Sequence, residues 1–180
     1  MKKRSLVSVV FIFIIISIIW IMSEKSDSYS EPQEAIFAID HDLVLIPGYK
    51  SNGKALFFFI KDTNNVGATY VQEGIFGWKA DTLTWSPMDF ARNYEKLSGY
   101  QGYGEKLVYG LIKHGDERLI QIGENQARIL NLEMLPPAEL EKFHLEGLYI
   151  WYFESDQPLN GGEIKLLDKS TDEELDTIVF

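Results

Sequence analysis

The chain has 180 residues, no cysteine, and 17 Lys and Arg against 27 Asp and Glu, which gives a net charge of −10. The lack of cysteine excludes disulfides, thiolate metal sites and a lipidated cysteine. The acidic balance argues against a nucleic-acid partner because phosphate contacts need clustered Lys and Arg, and a hydrophobic content of 46% excludes a mainly disordered chain.

The N-terminus joins a basic head to a long apolar run. Lys2, Lys3 and Arg4 precede the run Leu6–Met22, which only two serines interrupt. Its 17 residues would form about 25 Å of α-helix, at the short end of what spans a hydrocarbon core of about 30 Å. The run predicts an uncleaved transmembrane anchor that contacts the membrane through Leu6–Met22. A cleaved signal peptide is the alternative.

The charge on either side of the run predicts its orientation. The three basic residues of the head leave 14 Lys and Arg against 27 Asp and Glu in the rest of the chain, a net charge of −13. Because positively charged flanks stay in the cytoplasm, we expect the N-terminus inside the cell membrane and everything after Ser23 outside it. The predicted organisation is a head and anchor (1–23), a solvated spacer (24–32), a mixed subdomain of sheet and helix (33–104) and a β-rich subdomain (105–180).

Strand signals dominate the first subdomain. Pro47 and Gly48 follow the apolar run Leu43–Ile46 and indicate a bulge or an edge position. The pair Asn52-Gly53 lies between apolar runs and predicts a β-hairpin.

A triple phenylalanine marks the next strand. Phe57, Phe58 and Phe59 do not alternate with polar residues, which predicts a strand that is buried on both faces. The other elements predicted here are a short helix over 33–40, a third strand around 68–72 after a turn at 62–65, and a continuation of the sheet over 75–85.

An amphipathic helix is predicted over residues 86–97. Ser86 suits the N-cap and Pro87 the first helical position. Phe90, Tyr94 and Leu97 fall on one face of such a helix. We expect this face to cover the phenylalanine-rich sheet.

The second subdomain is predicted to be almost entirely β-structure. Short apolar runs with turns between them are typical of a small sandwich. The predicted strands are Leu107–Lys113, Leu119–Ile122, Ala127–Leu132, Leu148–Phe153, Glu163–Leu167 and Thr177–Phe180, with one short helix inserted at Pro136–Phe143. The fold class is therefore α+β and mainly β: an N-terminal transmembrane helix, then an antiparallel-sheet ectodomain with one covering helix and a C-terminal sandwich-like β module.

Three stretches carry a resemblance beyond these local patterns. They are ALFFFIKDTNNVGATYVQEGIFGWKAD, VYGLIKHGDERLIQIGENQARILNL and LYIWYFESDQPLNGGEIKLLDKSTDEEL. Together with the basic head and the apolar run, they resemble a group of small, N-terminally membrane-anchored extracytoplasmic proteins of Bacillus-type Gram-positive bacteria. The resemblance implies an extracytoplasmic location, and it implies no activity and no site residues.

Metal-binding patterns are weak. Asp40-His41-Asp42 is the one compact group of ligand-type residues, but neighbours in an extended chain point to opposite faces and do not chelate together. His114 is predicted in a hairpin turn and His144 at a helix end. We predict no metal site and no cofactor.

A glycine-rich segment over residues 99–104 carries the candidate site. It follows a predicted helix and precedes a strand, the reverse of a phosphate-binding loop. Its glycines could present Tyr100 and Tyr103 as an adaptable contact surface for a peptide or a glycan. The alternative is a connector whose tyrosines pack on the preceding helix.

The function predicted from these patterns is binding. The sequence lacks a Gly-x-Ser-x-Gly elbow and a His-Glu-x-x-His pair, so no catalytic residues are assigned. We expect a membrane-anchored extracytoplasmic module that binds or modulates another envelope component, either a protein or a glycan. The alternatives are an envelope hydrolase or metal-dependent enzyme with a dispersed site, and a structural subunit of a membrane complex.

Overall fold

The computed structural model describes residues 2–89, 91–97 and 99–179, with side chains from residue 11 onward. Its helices are α1 (Lys2–Ser26), α2 (Pro32–Phe37) and α3 (Pro137–Phe143). In chain order the strands are β1 (Val44–Ser51), β2 (Lys54–Lys61), β3 (Asn65–Gly74), β4 (Gly77–Ala80), β5 (Thr84–Pro87), β6 (Gln101–Tyr103), β7 (Leu107–Lys113), β8 (Arg118–Ile122), β9 (Asn125–Gln126), β10 (Arg128–Asn131), β11 (Leu148–Glu154), β12 (Glu163–Asp168) and β13 (Glu174–Val179).

The strands form three antiparallel sheets. Sheet A has the order β1-β2-β3-β4, and β5 also pairs with β3. Sheet B has the order β10-β11-β7-β6, and sheet C has the order β13-β12-β8-β9. The fold is therefore mainly β, as the sequence predicts.

The sheets stack in layers, with sheet B in the middle. Phe58 of sheet A packs against Tyr109 and Tyr152 of sheet B in one core. Trp151, on the opposite face of sheet B, packs in a second core with Ile164 of sheet C. A third core joins the outer face of sheet A to α2. Sheet B is covered on both faces, which explains its long uninterrupted apolar runs.

Two local predictions in sheet A are confirmed. Asn52 and Gly53, with φ of 51° and 70°, form the hairpin turn between β1 and β2. The register of β1 shifts between Pro47 and Tyr49, which is the predicted bulge on an edge strand. The strands predicted after residue 106 and the helix α3 are also present.

The predicted helix over residues 86–97 is wrong. Ser86 and Pro87 end β5, where they pair with β3. After that strand, the Asp89 carboxylate accepts hydrogen bonds from two backbone N–H groups in a tight turn. Tyr94 and Leu97 pack into different cores on the two faces of sheet B, so they share no helical face.

A different helix covers the phenylalanine-rich strand. Ala35 and Ile36 of α2 pack with Phe57 and Phe59 on the outer face of sheet A. The inner face is covered by sheet B. Phe90, which was assigned to the predicted covering helix, lies outside the described residues.

The N-terminal helix is long and its described side chains are largely apolar. Within the described part of the chain, no helix is long and apolar enough to cross a membrane. Of the predicted anchor Leu6–Met22, the side chains of residues 6–10 lie outside the described part. The helix continues to Ser26, and Tyr29 then forms an isolated antiparallel bridge with Trp78 of β4.

Candidate functional site

The structure places the two predicted contact tyrosines in different surroundings. Tyr103 donates its hydroxyl to the backbone oxygen of Thr82 (2.8 Å) and sets its ring edge-on to Tyr70, with 5.2 Å between the ring centroids. Burial, together with the nearby Asp81 carboxylate, raises the pKa of Tyr103 to about 12. Tyr103 therefore packs on sheet A, and no helix precedes it in the described residues 91–97.

Tyr100 lies beside a small pocket. Its side chain is 41% exposed and lines a space of about 170 Å³, together with Asp89, Tyr94 and Gln101. Tyr103 is not one of the described residues that line this space. A contact surface made of Tyr100 and Tyr103 stays a prediction.

The histidines lie apart from one another. His41 is strongly exposed and has its Nε2 atom 3.3 Å from Asp42 Oδ1, while Asp40 pairs with a lysine of sheet A. His114 and His144 occupy left-handed positions at a turn and at the end of α3. Across the described residues, no three His, Asp or Glu side chains are placed to hold a metal ion.

A polar cluster joins sheets A and B around one carboxylate. Glu154, the last residue of β11, accepts hydrogen bonds from Tyr49 (2.7 Å), Lys54 (2.6 Å) and Tyr70 (2.9 Å). The Lys54 ammonium also lies 3.9 Å from the centroid of the Tyr70 ring, a cation–π contact. We call these four residues the Glu154 cluster. Three strands of sheet A thereby contact a single side chain of sheet B.

The bulge in β1 places Tyr49 in this cluster. Ile46 faces sheet B, and strict alternation would turn the residue three positions later to the opposite face. The register shift between Pro47 and Tyr49 inserts one residue, so Tyr49 returns to the inner face opposite Leu56.

The cluster holds fixed protonation states near neutral pH. Burial raises the pKa of Glu154, but the hydrogen bonds from Lys54, Tyr49 and Tyr70 outweigh burial and hold that pKa below its usual value. Burial and the Glu154 carboxylate raise the pKa of both tyrosines. The carboxylate stays an acceptor and the phenols stay donors. Because the three donors all bond Glu154, this set of groups is suited to holding the neighbouring sheet rather than to transferring protons.

Arg128 extends the cluster to the surface. The hydrogen bond to the Tyr152 hydroxyl raises the pKa of the exposed Arg128 side chain, and the Glu154 charge raises it further by a smaller amount. Arg128, Gln126, Tyr152, Phe153 and Glu154 line a pocket of about 240 Å³. The cluster therefore reaches solvent at the edge of sheet B.

An open groove of about 780 Å³ continues from Arg128 along β10. Six consecutive residues, Gln126–Asn131, form one side of it. Tyr149 contributes from β11 and Arg118 from β8, while Lys169 contributes from the turn after β12. The groove is thus a strand edge bordered by three cationic side chains and by the carboxylate of Asp116.

The sequence alone did not indicate this site. Glu154 is one of 27 acidic residues, and nothing in its neighbourhood distinguishes it. The one usable signal is that Lys54 begins and Glu154 ends a largely apolar strand, where a charge needs a partner or solvent. The face of the sheet on which Tyr49 lies could not be predicted, because Pro47 and Gly48 do not show how many residues the bulge inserts.

Comparisons of the chain with models of known protein families, with curated proteins and with solved structures found no match. The resemblance to membrane-anchored proteins of Gram-positive bacteria therefore stays a prediction.

Proposed function

We propose that the chain is a single-pass membrane protein whose β domain lies outside the cell membrane and binds another component of the envelope. The observation that carries the proposal is the surface of α1. From Phe11 to Met22 every side chain except Ser17 is apolar, and all of them are exposed: Phe11 by 64%, Ile15 by 42% and Met22 by 67%. A helix that is apolar on all sides has no face that suits water.

The charge distribution supports the orientation. Three basic residues precede the apolar run, and the rest of the chain carries a net charge of −13. The positive-inside rule then favours a cytoplasmic N-terminus. Glu24, near the end of α1, pairs with Lys79 of sheet A, so the domain begins directly after the helix.

The polar site supports binding as the role of the domain. The Glu154 cluster has fixed donors and acceptors, and Arg128 carries it to an open groove. A groove bordered by a strand edge, tyrosines and arginines is typical of surfaces that bind another macromolecule.

The anchor is tested by fractionation. The full chain with a C-terminal tag, expressed in a Gram-positive host, should stay with membranes after an alkaline carbonate wash. Each lysine placed at the centre of a spanning helix costs roughly 2.5–3.5 kcal/mol of insertion free energy. The double variant Ile15→Lys, Ile19→Lys should therefore move to the soluble fraction. The matched control is Gln157→Lys, Asn160→Lys, which adds the same charge at exposed sites of the β domain.

The orientation is tested in the same cells. Protease added to intact protoplasts should remove the tag together with the domain after Ser23. Release of the unaltered chain by carbonate would contradict the anchor. Protection of the tag until the protoplasts are lysed would contradict the orientation.

A further inference from the structure

We infer that the free edge of β10 binds an extended, acidic peptide segment of a partner protein, which adds to sheet B as an antiparallel strand. The inference rests on the proposed binding role and names the surface and the class of partner.

The first argument is the geometry of the groove. Among the described strands, β10 pairs only with β11, so its other edge is open. The groove follows six consecutive residues, Gln126–Asn131. Gln126 pairs with β8 and the Ala127 N–H donates to Ile120, so the open part of this edge is Arg128–Asn131. At about 3.3 Å per residue, these four residues offer roughly 13 Å of edge, the length of a short strand.

The second argument is that the other edges are unsuited to strand addition. The edge strand β1 contains Pro47 and a bulge, and β5 ends in Pro87. Tyr29 already bridges β4. The strand β13 carries Glu174 and Asp176, whose charges would repel a second acidic strand. Strands β6 and β9 have only three and two residues.

The third argument is charge. Arg128 is exposed and donates a hydrogen bond to the Tyr152 hydroxyl, and Glu154 offsets part of its charge, so the rest of that charge is available to a ligand. Lys169 Nζ contacts a backbone oxygen at 3.3 Å and also remains available, whereas Arg118 is partly offset by Asp168 at 3.3 Å. Three cations and one carboxylate, Asp116, line this groove in a chain of net charge −10, and the excess of cations favours a partner segment with carboxylates.

The register of β10 predicts the pattern of the partner segment. Arg128 and Leu130 lie opposite Tyr152 and Ile150, on the face toward sheet A. Ile129 and Asn131 alternate with them and lie on the face toward sheet C. Arg118 of β8 and Lys169, in the turn after β12, also line the groove. An added strand would place acidic residues opposite Arg128 and Asn131 and apolar residues opposite Ile129 and Leu130. The expected core is acidic, apolar, apolar, acidic.

The test uses the full chain in detergent micelles and a fluorescein-labelled peptide with the core glutamate-valine-valine-glutamate. Fluorescence anisotropy should show saturable binding at low salt. Arg128→Glu should weaken that binding about tenfold, because it replaces an attraction with a repulsion. The matched control is Lys142→Glu, the same charge change at an exposed site on α3, and it should leave the affinity unchanged.

A second peptide separates strand addition from simple charge attraction. It has the same side chains but carries N-methyl groups on both valines. Successive N–H groups of a strand point to opposite sides, so one methylated group must face β10 and prevent pairing. Loss of binding supports strand addition. This comparison uses the unaltered chain, so it decides the question even if Arg128→Glu melts at a lower temperature.

Three outcomes would overturn the inference. They are the absence of saturable binding, equal binding of the methylated peptide, and equally strong competition by a glycerol-phosphate polymer. The last would identify a site for anionic polymers. The measurement is made in micelles, so failure of the anchor in cells would leave its result unaffected.

Discussion

At the scale of single residues, Glu154 is the polar centre of the contact between sheets A and B, beside the apolar core that the two sheets share. Its carboxylate accepts three hydrogen bonds, and its side chain is only 27% exposed. Removal of the Glu154 carboxylate would leave its three donors without a charged acceptor. The loss in the free energy of unfolding is then larger than the loss from breaking a surface ion pair. These hydrogen bonds therefore hold sheets A and B together alongside their apolar packing.

The first prediction concerns Glu154→Gln. We expect the free energy of unfolding at pH 7 to fall by about 1–3 kcal/mol in urea titrations. The matched control is Glu174→Gln, which removes the charge from an exposed pair with Lys165 and should cost less than about 1 kcal/mol. Equal losses in the two variants would contradict a special role for the Glu154 cluster.

The same variant has a characteristic pH dependence. The folded pKa of Glu154 lies below the ordinary pKa of a glutamate, so ionisation of this carboxyl stabilises the fold above that ordinary pKa. This contribution is lost as the pH falls through the folded pKa. The stability difference between the unaltered chain and Glu154→Gln should therefore be constant near neutrality and shrink in acid. A difference that grows in acid would have the wrong sign.

At the scale of elements, local patterns predicted strands and turns better than they predicted the connection after β5. The hairpin at Asn52-Gly53 follows from two residues that tolerate positive φ. Ser86 and Pro87 are typical of a helix start, but both lie in β5 and pair with β3. A local pattern contains no information on a strand elsewhere in the chain, so this tertiary contact could not be predicted from it.

The second element-scale prediction concerns a glycine that lets β5 approach β3. A Cβ atom on Gly67 would lie 2.3 Å from the Phe59 ring and 2.4 Å from the backbone oxygen of Thr84. Backbone atoms cannot move aside at low cost, so Gly67→Ala should destabilise the fold by about 3 kcal/mol or more.

The control for this substitution lies in the same strand. A Cβ atom on Gly74 would meet its nearest neighbour at 3.6 Å, an ordinary contact. Gly74→Ala should therefore leave the melting temperature almost unchanged. A similar loss in both variants would show that a general effect of alanine in β3, rather than the close approach of β5, is responsible.

At the scale of the whole molecule, sheet B is common to two cores. Tyr109 and Tyr152 pack toward sheet A, while Val108 and Trp151 pack toward sheet C. Neither outer sheet can lose its contacts without exposing a face of sheet B. The order in which the three sheets stack could not be predicted from the sequence. The strand patterns show which runs are buried, but they do not show which sheet covers each run.

The final prediction is a single unfolding transition. Because sheet B belongs to both cores, tryptophan fluorescence and far-ultraviolet circular dichroism should give the same midpoint in urea. Amide hydrogen exchange should be slowest in Leu107–Lys113 and Leu148–Glu154, the two central strands. Two separate midpoints, or fastest exchange in those strands, would contradict this coupling and favour independent subdomains that meet near residue 104.

If the chain is anchored in a membrane as proposed, the proline and bulge of β1 affect how neighbouring copies can pair. Copies anchored in one bilayer share a plane and an upright orientation, so confinement in two dimensions brings equivalent strand edges together. Pro47 has no N–H group to offer a neighbour, and the shifted register at Tyr49 breaks any continuous ladder. In that setting, lateral crowding would not join the domains through β1 into an extended intermolecular sheet.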